Sequence, residues 1–194
     1  MNDADIRTRL HADFDQAGIA WVDEIKVKEC RVDMVALLDG VLTAIEIKSG
    51  KDTLKRLERQ YALYDQRFRQ VLVVTEPRHV AGVRSVVGAR CGIWVCEEQA
   101  DGVHLRQRSR PYGTRRPQVR PTARSGRIAY ALQRGELLAA LGLAEDTPVT
   151  KSEAARRVME RFGTEEIERI ALTAWQGRKG GSDVAEIASP STPR

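Results

Sequence analysis

The segment RVDMVALLDGVLTAIEIKSG, residues 31–50, constrains the fold more than any other part of this chain. Asp39-Gly40 is the preferred pair for a two-residue type I′ turn, and both flanks, Val32–Leu38 and Val41–Lys48, are rich in β-branched and aliphatic residues. A hairpin is predicted, and its turn sets the register. If Leu38 faces Val41, then Leu37 faces Leu42, Ala36 faces Thr43, and Asp33 comes to lie opposite Glu46. One face carries Val32, Met34, Ala36, Leu38, Ile45 and Ile47; the other carries Val35, Leu37, Leu42 and Ala44 near the turn. A strand pair apolar on both sides belongs in the interior of a sheet. Asp33, Glu46 and Lys48 at its far end are costly there unless paired or liganded.

Directly opposed residues on one face have Cβ atoms roughly 5 Å apart, so two carboxylates so placed can close on one divalent cation. Lys48, two residues beyond Glu46, shares that face. Hard oxygen ligands with open positions suit Mg²⁺, which keeps several waters and accepts phosphate oxygens. Such a metal lowers the pKa of a bound water, and a nearby ammonium orients that water or stabilises the developing anion. The same three residues also admit a plainer reading as a structural ion-pair cluster, because an E-x-K pair alone is weak as a motif.

The run resembles the core of the PD-(D/E)XK nuclease superfamily, with Asp33 matching the motif aspartate, Glu46 the second acid and Lys48 the lysine. Val32 stands where the motif name has proline. More narrowly, EIKSGKDTLKRLERQYALY is similar to a bacterial and phage branch with EIKS followed by a helix bearing Arg-Leu and a Gln-x-x-x-Tyr pair, here Gln60 and Tyr64. The resemblance is clearest from about Trp21 to Thr75. It implies a restriction-endonuclease-like α/β core, catalytic Asp33, Glu46 and Lys48, and Mg²⁺ or Mn²⁺ held by Asp33 and Glu46, with Glu24 as an additional ligand or water-positioning acid. Gln60 can reach the edge of that site. Tyr64 also belongs to an apolar stripe, which reads as core.

The order of elements agrees with a mixed sheet flanked by helices. A helix over Asp3–Gln16 leads to a strand around Ile25–Val27 and then the hairpin. Apolar residues at Leu54, Leu57, Tyr61, Tyr64 and Phe68 are spaced for one buried helical stripe. VLVVT follows as a short buried strand, parallel to the strand carrying Glu46. A helix from about Val80 to Val87 and the strand GIWVC close this α/β core, expected over residues 1–105.

From Gly102 to Gly135 there is no acidic residue. Arg106, Arg108, Arg110, Arg115, Arg116, Arg120, Arg124 and Arg127 crowd this stretch, broken by Pro111, Pro117 and Pro121. The chain has 32 basic and 27 acidic residues, a surplus of 5, so the segment concentrates more positive charge than the whole has net. Such a segment, expected as a linker over 106–126, binds phosphate backbones without reading bases, and Tyr112 adds a stacking surface. As a plain solvated linker, its charge would serve solubility alone. Residues 127–177 are expected to form a small helical region, with a capping box at Thr150 and Glu153, that packs on the core or docks DNA as a helix-turn-helix. Residues 178–194 are expected to be a disordered tail.

With 194 residues, 42% hydrophobic, the chain can bury an ordinary core. No apolar run approaches the roughly 20 residues that span a bilayer, and MNDADIRTRL is unlike a signal peptide. No membrane association is expected. The expected location is the bacterial cytoplasm or nucleoid, or the protein is phage-encoded, with Cys30, Cys91 and Cys96 reduced. Cys91 and Cys96 with His79 or His104 fit no common zinc spacing, so buried thiols are preferred. The function expected is a metal-dependent deoxyribonuclease acting in DNA repair, recombination or processing. The alternatives are a non-catalytic DNA-binding or partner-recruiting module on the same fold, and a nuclease for RNA. DNA is the expected partner, and a homodimer is one way to cut both strands.

Overall fold

A computed structural model describes residues 1–27, 30–109 and 123–178. Its centre is a six-stranded mixed sheet in sequential order: β1 (Trp21–Val27), β2 (Cys30–Leu38), β3 (Val41–Lys48), β4 (Gln70–Thr75), β5 (Gly92–Gln99) and β6 (Gly102–Ser109). β1, β2 and β3 are antiparallel neighbours, β3, β4 and β5 are parallel, and β6 returns antiparallel on β5. The parallel step from β3 to β4 is crossed by a 3₁₀ turn at Leu54–Arg56 running into α2 (Leu57–Asp65), and the next step by α3 (Val80–Val87). This is the α/β class expected from the sequence.

The hairpin register is the one the Asp-Gly turn dictates. Leu38 pairs with Val41, and the ladder continues to Met34 with Ile45. Asp39 and Gly40 have φ of 50° and 73°, the two positive values that a type I′ turn requires. All eight residues of β3 and all six of β4 are buried. Near-continuous apolar runs are what central parallel strands demand, because helices cover both faces.

One face is covered by α1 (Asp3–Gln16), whose Ile6, Leu10 and Phe14 recur every four residues and meet Met34, Ala36, Ile45, Ile47, Leu72 and Val74. Its start is closed by a reciprocal box between Asn2 and Asp5. The other face is covered by α2, α3 and four further helices: α4 (Ala123–Ala131), α5 (Arg134–Leu141), α6 (Lys151–Arg161) and α7 (Thr164–Arg178). These last four do not form a bundle with a core of its own. Ile128, Leu132, Leu137, Val158, Ile167 and Trp175 share one continuous core with Val35, Leu42, Val73 and Ile93 of the sheet. Glu168 of α7, only 2% exposed, fastens the two parts, accepting from the Leu42 backbone N–H at 3.0 Å and pairing with Arg69 at 2.7 Å.

Several boundaries differ from the sequence reading: β1 begins at Trp21 rather than near Ile25, and β5 runs on to Gln99. Residues 106–109, expected to open the linker, are the second half of β6, with Arg106 paired across to Val95 and Gln107 to Trp94. Edge position explains the miss, since an edge strand facing solvent keeps polar side chains and carries little apolar signal. Arg178, expected in the tail, ends α7 and pairs with Glu136 of α5. At α6 the Thr150 side chain accepts from the Glu153 N–H at 3.2 Å, while the Glu153 carboxylate is taken by Arg156 and Arg157 and does not complete the box.

Candidate active site

Residues Glu24 and Asp33 interrupt an otherwise regular ladder. β1 and β2 pair Asp23 with Met34 and Ile25 with Val32, and skip the pair between them. Glu24 has φ of 54°, a left-handed conformation that costs energy for a residue with a Cβ. Val32 and Ile25 lie in the same core as Val35 and Val22, whereas strict alternation would put them on the other face. The backbone therefore twists at this point. In place of a ladder bond between Asp33 and Glu46, one Asp33 carboxylate oxygen accepts from the Ile47 N–H at 2.9 Å. A guanidinium nitrogen of Arg7, from α1, donates to the Asp33 carbonyl at 2.8 Å and to Asp23 at 2.9 Å, holding the twisted stretch from behind.

The expected trio is brought together, deeper than the sequence suggested. Glu46 is 1% exposed and Lys48 6%. The Lys48 ammonium lies 2.5 Å from one oxygen of Glu46 and 3.3 Å from the Gln60 amide oxygen. The other Glu46 oxygen accepts from the Tyr64 hydroxyl at 2.7 Å. That hydroxyl also lies 2.7 Å from the Arg31 carbonyl, so one O–H proton serves two acceptors. Burial, and then the charge of Glu46, pushes the Tyr64 hydroxyl further up and keeps it a donor. Gln60 thus lies beside Lys48. Tyr64 is both core and site, because its ring lies in the apolar stripe while its hydroxyl reaches Glu46; the Gln-x-x-x-Tyr spacing carried that signal.

Burial, and then repulsion from Glu46, raises the Asp33 carboxyl to about 7 against the pull of the Ile47 N–H, Lys48 and Arg7. Two carboxylates and one ammonium leave the cluster one positive charge short when both acids are ionised. A divalent cation would supply that charge, and the hard oxygen donors suit Mg²⁺ or Mn²⁺, for which one or two carboxylates suffice. Asp33 and Glu46 fit the role expected of metal holders.

Glu24 does not join them. It lies level with Asp33, but its carboxylate meets Arg31 at 2.5 Å on the exposed side of the strand. The positive φ of Glu24 turns its side chain out of the alternation that would have aimed it inward. Among the described residues no group of three or more histidines, cysteines, aspartates or glutamates converges as a metal site. Cys91 and Cys96 are buried free thiols, both pushed up to about 12, chiefly by burial.

The basic segment is only partly within the described residues. Arg106 and Arg108 are exposed on β6, with Arg106 reaching Glu97 at 3.2 Å. Arg127, exposed on α4, donates to the Gln66 carbonyl at 2.7 Å. Arg110, Tyr112, Arg115, Arg116 and Arg120 lie outside the described residues, as does the side chain of Arg124. No described helix is long and apolar enough to cross a membrane.

A family described as bacteriophage P4 protein cII matches this chain over residues 15–183. A comparison with curated proteins finds no match. Among solved structures, a protein of unknown function from Silicibacter pomeroyi is similar at 15% identity, with 87% of each chain covered and a TM-score of 0.39.

Proposed function

The chain belongs to the bacteriophage P4 protein cII family, and for this member we propose a Mg²⁺- or Mn²⁺-dependent deoxyribonuclease that hydrolyses phosphodiester bonds in DNA. The observation that carries this reading is the cluster of half-buried Asp33 with buried Glu46 and Lys48 at a twist in the central sheet. Asp33 and Glu46 would hold the metal. When bound, the metal supplies Lewis-acid stabilisation of the phosphate and a water of lowered pKa. Lys48, now neutralising Glu46, orients the attacking water and stabilises charge growing on the phosphate. Tyr64 fixes the carboxylate of Glu46, and Gln60 fixes the ammonium of Lys48. A phage-encoded origin agrees with the family.

The decisive measurement is cleavage of plasmid, nicked, branched and single-stranded DNA with added Mg²⁺ or Mn²⁺. Glu46→Gln is the preferred control because it keeps a side chain of the same shape against Lys48 and Tyr64. Metal-dependent cleavage by the wild type and its loss in Glu46→Gln are expected. Full activity in EDTA or in that variant would sink the mechanism. The turning away of Glu24 favours one second reading, a binding module on this fold with a site too weak for turnover. DNA binding without metal-dependent cleavage separates that module from the enzyme.

A further inference from the structure

We propose that Lys51, Lys55, Arg56 and Arg59 form the surface that holds the phosphate backbone of DNA beside the Asp33–Glu46–Lys48 cluster, a surface that takes its purpose from the nuclease reading above. All four are exposed, and among the described residues none makes a side-chain hydrogen bond or ion pair. That sets them apart from Arg106, Arg127 and Arg156, whose guanidinium groups are already engaged. Unpaired surface cations are the ones free to displace counterions from a phosphate backbone.

Their placement follows from two elements that also build the cluster. Lys51 is three residues beyond Lys48, in the loop leaving the carboxyl end of β3. At that end β3 lies beside β4, with Lys48 paired to Thr75. Loops after the carboxyl ends of parallel strands are where ligands approach α/β sheets. Arg56 is four residues before Gln60, and Lys55 four before Arg59, so each pair stacks on one side of the 3₁₀ turn and α2. Gln60 in turn touches Lys48. Leu57 and Tyr64 of this element, three residues before and four after Gln60, are buried in the sheet core. Of the two acids in the same stretch, Asp52 is spent on the Ser49 N–H and hydroxyl, leaving Glu58 as the exposed anion.

The loop backbone is committed as well, so the cationic side chains must make the contact. The Ser49 N–H is satisfied by Asp52 and the Gly50 N–H by Glu76. Gly50 is packed so closely that a Cβ would lie 2.6 Å from a Glu76 oxygen and 2.8 Å from Arg78.

The test compares wild type with Lys51→Gln/Lys55→Gln/Arg56→Gln/Arg59→Gln, checked for folding by circular dichroism. Binding of a labelled DNA duplex of about 20 base pairs is followed by anisotropy in EDTA, over roughly 50 to 300 mM KCl. The variant is expected to lose at least about tenfold in affinity at low salt, and its log-log salt slope to shrink by about 2 to 4, since each phosphate contact contributes about 0.9. An unchanged slope in the variant, or no DNA binding by the wild type at low salt, overturns the assignment. So does a variant that loses an RNA duplex of equal length while retaining DNA. Wild-type protein that binds through these residues but never cleaves with Mg²⁺ or Mn²⁺ would leave this surface standing and remove the nuclease.

Discussion

Asp33 concentrates the chemistry of the site in one titration. Its folded carboxyl is raised to about 7, against about 4 in an unfolded chain. The metal-free protein is therefore favoured by keeping Asp33 protonated, a stabilisation fully present below about pH 4 and lost as pH rises through about 7. Asp33→Asn keeps an acceptor for the Ile47 N–H and removes the charge. In chemical denaturation without metal it is expected to match wild type near pH 4 and exceed it near pH 8 by about 2 to 4 kcal/mol. Mg²⁺ at pH 8 should then stabilise the wild type and leave Asp33→Asn unmoved. Equal response of both to Mg²⁺ would remove Asp33 from the metal site. Mg²⁺ affinity should rise with pH, because the metal requires Asp33 ionised. Depth also changes how the site should be probed. Glu46→Ala leaves the buried Lys48 ammonium without its partner and is expected to cost about 3 to 5 kcal/mol; Glu46→Gln also removes the charge but keeps an acceptor of the same shape, so both are read beside a folding control.

Two local elements position this chemistry, and each can be broken alone. The hairpin turn needs positive φ at Asp39, which proline cannot adopt. Asp39→Pro should lower the thermal midpoint sharply and activity with it, whereas Asp39→Asn should be nearly silent, since asparagine tolerates the same conformation. A native-like midpoint for the proline variant would disprove the turn assignment. In α2, Tyr64→Phe preserves the ring in the apolar stripe and deletes the donor shared by Glu46 and the Arg31 carbonyl. A stability loss of about 1 to 2 kcal/mol is expected, read from urea unfolding.

At the scale of the whole molecule, the helices after residue 123 cover the second face of the sheet. Trp175 is fully buried and packs near Phe68, with ring centroids 6.5 Å apart. Glu168 and Arg69 form a buried pair that also satisfies the start of β3 at Leu42. Glu168→Ala strands the Arg69 guanidinium and the Leu42 N–H together, and should cost about 3 to 5 kcal/mol. Because the core is shared, unfolding should remain a single transition with the same midpoint by tryptophan fluorescence and far-UV circular dichroism. Two separated transitions would restore an independent helical unit.

Period-two patterning and an Asp-Gly pair were enough to place the hairpin and its register from Leu38–Val41 to Met34–Ile45, because backbone sterics at a two-residue turn allow few alternatives. Helical spacing likewise placed Asp3–Gln16 and Val80–Val87 at their observed limits. What local sequence does not encode is where alternation fails. The twist at Glu24 and Asp33 depends on Arg7 holding the Asp33 carbonyl from another element, and that twist turned Glu24 outward to Arg31. The same limit hid β6, whose pairing is supplied by β5, and the docking of the last four helices, whose partner face belongs to residues more than 80 positions earlier in the case of Val35 and Ile128. It also hid the exposed cations around Arg56, which were outweighed by a denser run of arginines until the fold set them one turn from Gln60. Short-range sterics and periodicity act within a few residues and are written in the chain. Burial, charge compensation and the aim of a side chain depend on which distant segments pack together, and the tertiary structure alone decides them.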